Sequence, residues 1–175
     1  MKKYGLLILA ILAVVVFASG CTSSGQNTYN SNGISFNYPG SWKEISATNV
    51  DSVAGVGDPN SFDNSTKMEN TVVVIQKIEM PSGYTLNQVV DTIITQFASQ
   101  DPNFQKISEN TITVNGATAY EVVYKMGSNG VQKQEKAVFL EQNGNLYDIS
   151  CSALPNDFDS QQANFDMVIN SFKVQ

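Results

Sequence analysis

The residues able to do chemistry are few in this chain, and their spacing limits what they can do. No histidine occurs among the 175 residues. That removes Ser-His-Asp and Cys-His nucleophile pairs, His-containing zinc sites and the commonest general base. Two cysteines remain, Cys21 and Cys151. A reactive thiolate needs a cationic neighbour or a helix N-terminus, whereas Cys151 alternates with Tyr147 and Ile149 on the apolar side of a strand pattern. It reads as core. Once Cys21 is committed to the N-terminus, arithmetic excludes a disulfide within the mature chain.

Oxygen donors cluster at Asp58, Asn60, Asp63 and Asn64. This run lacks the glycine and terminal bidentate glutamate of a calcium loop, so a solvated loop explains it better. Asp157 and Asp159 sit where a helix begins, and negative charge at a helix N-terminus accounts for them without acid–base work. Asn64-Ser65-Thr66 is the one N-glycosylation sequon, which makes Asn64 the candidate acceptor in an exposed loop. Phe36, Tyr38 and Trp42 form either a core stripe or an aromatic patch for peptide or sugar. Trp42, the only tryptophan, is the candidate aromatic contact because it follows a turn. No metal site, cofactor or catalytic residue is expected.

The elements that hold these residues begin with a leader. Lys2-Lys3 form a positive n-region, Leu6 to Phe17 an apolar stretch, and Ala18-Ser19-Gly20 the small residues that precede cleavage. Cys21 then stands where a lipobox places the diacylglyceryl-bearing cysteine. The alternatives are an uncleaved anchor, for which Tyr4 to Gly20 is short, and a cleavage signal without lipid. All three export the chain. Residues 1–20 are therefore read as signal peptide, and 21–32 as a lipidated flexible tether of Ser, Thr, Gly, Asn and Gln. Residues 33–175 are left as one domain, large enough to build a core unaided. Without residues 1–20 the charge is −8, from eight lysines against sixteen acidic residues, and there is no arginine. Nucleic acid is excluded as a partner, since no basic stripe exists to displace counterions.

Within the domain, Gly33 to Ser46 reads as a hairpin turning at Pro39-Gly40, with Gly40 at positive φ. An extended piece follows near Ser52 to Gly57, then a polar surface loop from Asp58 to Asn70. Val72 to Met80 is a β-branched strand, apolar on both faces at its start and so central. Leu86, Val89, Val90, Ile93, Ile94, Phe97 and Ala98 share one face of a helix over Tyr84 to Gln100. Thr85 and Gln88 supply a capping box, Tyr84 and Val89 a staple, and Asp101-Pro102 the stop. Residues 107–153 form a four-stranded meander with turns at Asn115-Gly116, Ser128-Asn129-Gly130 and Asn143-Gly144. A last helix runs from Asp157 or Asp159 to about Asn170. Its buried stripe is Phe158, Phe165, Val168, Ile169 and Phe172. The class is α+β: an antiparallel sheet of about six to eight strands, with helices covering one face.

A strand bearing Ile34, Phe36 and Tyr38, the turn YPGSW and the returning Trp42, set just after an export leader, resemble the opening of PsbP-like proteins. These belong to the Mog1/PsbP group, which includes many prokaryotic lipoproteins. The resemblance, carried by the turn and the element order over residues 33–174, implies a Mog1/PsbP-like α/β/α sandwich. It also implies a membrane-anchored lipoprotein facing outside the cytoplasm. Joined to the missing nucleophiles, it points to a non-enzymatic binding or assembly module of the cell envelope. Its partners are then the membrane, through the N-terminal lipid, and an unidentified envelope protein or ligand. Two alternatives stay open: a carboxylate-based enzyme or enzyme subunit, which needs two convergent carboxylates in one pocket, and a ligand or metal carrier for an envelope transporter.

Overall fold

The computed structural model describes residues 25–46, 50–128 and 130–175. Its strands are β1 (Gln26–Ser31), β2 (Ile34–Pro39), β3 (Lys43–Glu44), β4 (Ser52–Gly57), β5 (Phe62–Asp63) and β6 (Met68–Glu69). They continue as β7 (Val72–Glu79), β8 (Gln105–Val114), β9 (Ala117–Ser128), β10 (Val131–Gln142), β11 (Asn145–Ala153) and β12 (Lys173–Val174). Two α-helices, α1 (Leu86–Gln100) and α2 (Gln162–Ser171), complete the set among the described residues.

Seven strands make the main sheet in the order β3-β4-β7-β11-β10-β9-β8. Every pairing described is antiparallel. The α+β class, with an antiparallel main sheet of seven strands, is therefore as expected. Tight turns set the register of the meander. Asn115-Gly116 and Asn143-Gly144 all lie at positive φ, the conformation that two-residue hairpins require and that Asn and Gly tolerate.

Both faces of the sheet are buried, not the one that alternation in the meander alone would require. Strand β10 shows why. Val138 and Leu140 belong to one core, with Trp42, Phe165, Phe172 and Cys151, while Ala137 and Phe139 belong to a second, with Val89, Val90 and Ile94 of α1. Helix α2 and the small sheet β1-β2-β12 cover the first face, and α1 covers part of the second. Helix α1 starts as its sequence dictates, since Thr85 and Gln88 form the reciprocal capping box. Its far end is tied to β9 by the Asp101 carboxylate, which accepts the Gly127 N–H.

Several expectations need correction. Gly33 to Ser46 is no hairpin: β2 pairs with β1 and β12, whereas β3 pairs with β4 in the other sheet. Gly40 is not at positive φ. The turn is closed by the Trp42 N–H on the Pro39 carbonyl at 2.9 Å, and it hands the chain from one sheet to the next. Residues 26–31, expected as part of a flexible tether over 21–32, are instead strand β1 (Gln26–Ser31). Its polar side chains hid it, but ladder hydrogen bonds come from the backbone, and the Asn32-Gly33 turn at positive φ was the available signal. Tyr29 is its buried residue, stacked on Phe36 at 5.0 Å with its hydroxyl donating to the Val53 carbonyl at 2.9 Å. The last helix begins later than Asp159, after a 3-10 turn over Phe158–Gln161, and Asp157 makes no side-chain cap.

Tyr29 thus separates the two readings of this segment. Tyr29→Ala is expected to lower stability by about 3 kcal/mol in urea unfolding, the cost of emptying a buried aromatic site; in a free tether the change would be within about 0.5 kcal/mol.

Candidate functional site

Helix α1 leaves part of its sheet face uncovered. Over β4, β7, β11 and the start of β10 lies a groove of about 700 Å³. Its floor is what strand alternation puts on the α1 side: Val72, Val74 and Gln76 from β7, Asp148, Ser150 and Ser152 from β11, and Lys133 and Glu135 from β10. Phe97 of α1 and Tyr124 and Met126 of β9 form one wall. The β5–β6 hairpin, with Thr66, Lys67, Met68 and Glu69, forms another, and Ile45, Ser46 and Ser52 close the side. A cleft of this volume, its floor mainly polar with two valines and its wall carrying Phe97, Tyr124 and Met126, has room for a small ligand or a short segment of a partner.

Two carboxylates stand in this groove. Asp148 is pushed up to about 7, mainly by burial and further by Glu135, against the stabilising hydrogen bond that Ser150 donates at 3.0 Å. Glu135 is also raised by burial, although the Tyr124 hydroxyl (3.0 Å), Lys133 and Ser152 pull it back. Burial likewise drives the Tyr124 phenol well above its ordinary range, with the two carboxylates adding to the effect. Lys133 is lowered by burial and fixed by Asn70, whose side-chain and backbone oxygens both accept from its ammonium. Register sets the carboxylates apart. Asp148 lies opposite Phe139 and Glu135 opposite Ser152, a Cα separation of about 14 Å at strand rise and spacing.

The residues singled out from sequence are not in this groove. Trp42 is a correction: it is 3% exposed and packs edge-on against Phe165 at 6.3 Å, because the Pro39–Trp42 turn folds it back beneath α2. It offers no aromatic contact surface, and Phe36 and Tyr38 are core beside it. Asn64 is exposed in the turn between β5 and β6. Asp58 and Asp63 use their oxygens in local turns, accepting from Asn60 at 2.9 Å and from Ser65 at 2.7 Å. No group of three or more metal-ligating side chains occurs among the described residues. Cys151 is fully buried, and burial pushes its thiol well up although Lys136 lies opposite it in the register. That lysine is itself engaged by Asp166 at 3.0 Å and Glu121 at 3.9 Å. Cys21 and the leader lie outside the described residues.

What sequence reasoning missed was Glu135, Asp148, Tyr124 and Lys133. A signal existed. Along one face of β10 the residues run Lys133, Glu135, Ala137, Phe139, charged and then apolar, and the changeover marks the limit of the helix's cover.

Asp148 binds its proton more tightly folded than unfolded, so its contribution to stability is full below pH 4 and lost as pH rises towards 7. Asp148→Asn is expected to be more stable than the parent by about 2 kcal/mol at pH 8, after discounting for water in the groove. The advantage should vanish by pH 4, as read by urea unfolding across pH. Cys151 is expected to resist a thiol reagent in the native chain and to react once denatured.

The fold recurs in solved structures. It matches cyanobacterial PsbP (CyanoP) from Synechocystis at TM-score 0.63 and 20% identity, over 89% of this chain and 96% of that one. It also matches LpqN of Mycobacterium tuberculosis, described as involved in cell envelope biogenesis (TM-score 0.59, 14% identity, 86% and 91% covered). The Ran-binding protein Mog1p of Saccharomyces cerevisiae matches at TM-score 0.59 and 10% identity, with 87% and 96% covered. No curated protein matches the sequence. The family model for PsbP-like protein spans residues 7–174, and the chain belongs to that family.

Proposed function

We propose that this chain is a lipid-anchored, extracytoplasmic binding module of the cell envelope, and that the groove beside α1 is its binding site. The observation that carries this reading is the groove itself: a cleft of about 700 Å³ whose floor mixes valines with Gln76, two serines and two carboxylates. Such a lining recognises and orients a ligand. Nucleophiles activated by histidine are ruled out, since the chain has none. Proteins on the same scaffold lend support, since Mog1p is a Ran-binding protein and LpqN is involved in cell envelope biogenesis. The address rests on the leader and Cys21. No helix among the described residues is long and apolar enough to cross a membrane; the lipid on Cys21 is the attachment in this reading. Its two acyl chains hold stably where one would not.

One observation favours a second reading, a carboxylate enzyme. Glu135 and Asp148 share the groove, and both are held above the usual carboxylate range, as catalytic acids often are. Turnover of small glycosides or esters, abolished by Glu135→Gln, would establish it in place of the module. A glycan on Asn64, where the host can add one, would sit on the hairpin at the groove's rim.

Mass spectrometry of the mature N-terminus is expected to find diacylglyceryl-Cys21, and Cys21→Ser to leave the membrane fraction; an intact Met1 or a free Thr22 would refute the anchor. Crosslinking in intact membranes should join the chain to its partner. Ser150→Trp, which fills the groove, should abolish that adduct while leaving the fold unchanged by circular dichroism. An adduct that persists undiminished would remove the groove from the function.

A further inference from the structure

The polar groups on the groove floor are ordered. Where β4, β7 and β11 run side by side, Ser52 pairs with Gln76 and Gln76 with Asp148. Three polar side chains therefore stand in one row, on strands about 4.8 Å apart. The row has spare acceptors. Ser52 Oγ is buried with no hydrogen-bond partner among the described residues. Asp148 receives its hydrogen bond from Ser150 on its own strand, and none of the ion pairs among the described residues includes it. Glu135 differs, being bonded by Tyr124 and close to Lys133. A carboxylate withdrawn from water without a cation is costly, and a ligand that brings the cation recovers that cost.

We propose that the groove takes a small ligand carrying a cationic nitrogen on an apolar stem. The nitrogen sits on the row Asp148, Gln76 and Ser52, and the stem lies along Val74 and Val72 towards Met68. This deepens the reading of the groove as the module's binding site and rests on it. An anionic ligand is disfavoured, because carboxylates stand at both ends of the floor and Lys133 is tied to Asn70. The groups facing Asp148 are Glu135 and Tyr124 from β10 and β9, with Lys133 beyond them and Lys67 and Glu69 on the hairpin rim. Gln76 of β7 and Phe97 of α1 add no charge. Binding should therefore follow ionisation of Asp148, strong at pH 8.5 and lost at pH 5.5.

The methionines report the outcome. Met68 and Met126 line the groove, while Met80 and Met167 do not. With the full chain labelled at its methionine methyls and held in lipid nanodiscs, n-hexylammonium chloride at pH 8.5 is expected to shift Met68 and Met126 saturably and leave Met80 and Met167 in place. Sodium hexanoate and 1-hexanol should bind at least tenfold more weakly. Asp148→Asn, or pH 5.5, should weaken hexylammonium at least tenfold, whereas Asp91→Asn, an exposed acid of α1 outside the groove, should change it by less than threefold. Equal shifts with hexanol or hexanoate, or an Asp148→Asn chain that binds as the parent does, would overturn the proposal. If hexylammonium leaves the groove methyls still while Ser150→Trp abolishes the membrane adduct, the cationic ligand falls and the binding groove stands. If neither experiment responds, both fall.

Discussion

A sheet whose β10 is buried on both faces, with α1 the only helix on the second among the described residues, is the constraint from which the rest of this fold follows. The residues Ala137 to Leu140 of β10 cannot face water on either side, because alternate members enter different cores. Each face must therefore be covered. The first has ample cover in α2 and the three-stranded sheet β1-β2-β12. Among the described residues the second has α1, with the β5–β6 hairpin only at the groove's rim. Fifteen residues make a rod about 22 Å long and about 10 Å across, whereas seven strands at about 4.8 Å span about 29 Å. The helix lies against β9 and β10, and the strands beyond it are left as the floor of a groove.

That shortfall explains the chemistry of the floor. Under α1 the face is apolar, with Val122, Phe139 and Leu146. Past the helix it turns polar, with Asp148, Ser150, Ser152 and Glu135. The β5–β6 hairpin and the segment at Ile45 and Ser46 rise at its rim and restrict water, so the carboxylates are desolvated without being sealed in. Desolvation is the largest influence on both of them. The same groups on a flat, open sheet would titrate as ordinary acids.

The opposite face is arranged for rigidity. Aromatic contacts link Trp42 to Phe165, Phe165 to Phe158, and Phe172 to Tyr147. They tie α2 to the sheet while β12 carries the chain end back onto β2. Lys136 is buried there between Asp166 and Glu121, and Cys151 is packed beneath. Neither is placed to react.

Local pattern by itself determined a good deal of this protein. The capping box at Thr85, the Asn-Gly turns, the β-branched run from Val72 and the alternation through Tyr147 to Ala153 each specify a conformation through forces acting within a few residues. Helix α1 and the four strands of the meander follow from them. Where polar composition concealed pairing, as in β1, or where a turn handed the chain between sheets, as at Pro39–Trp42, local pattern was insufficient, because a strand's partner lies far away in sequence. The groove belongs to the tertiary structure, and the changeover along Lys133, Glu135, Ala137 and Phe139 is its one trace in the sequence. Asp148 and Glu135 each look like an ordinary solvent-facing strand residue. What they face is decided by which strands of the seven-stranded sheet α1 lies against, β9 and β10, and no stretch of sequence carries that placement.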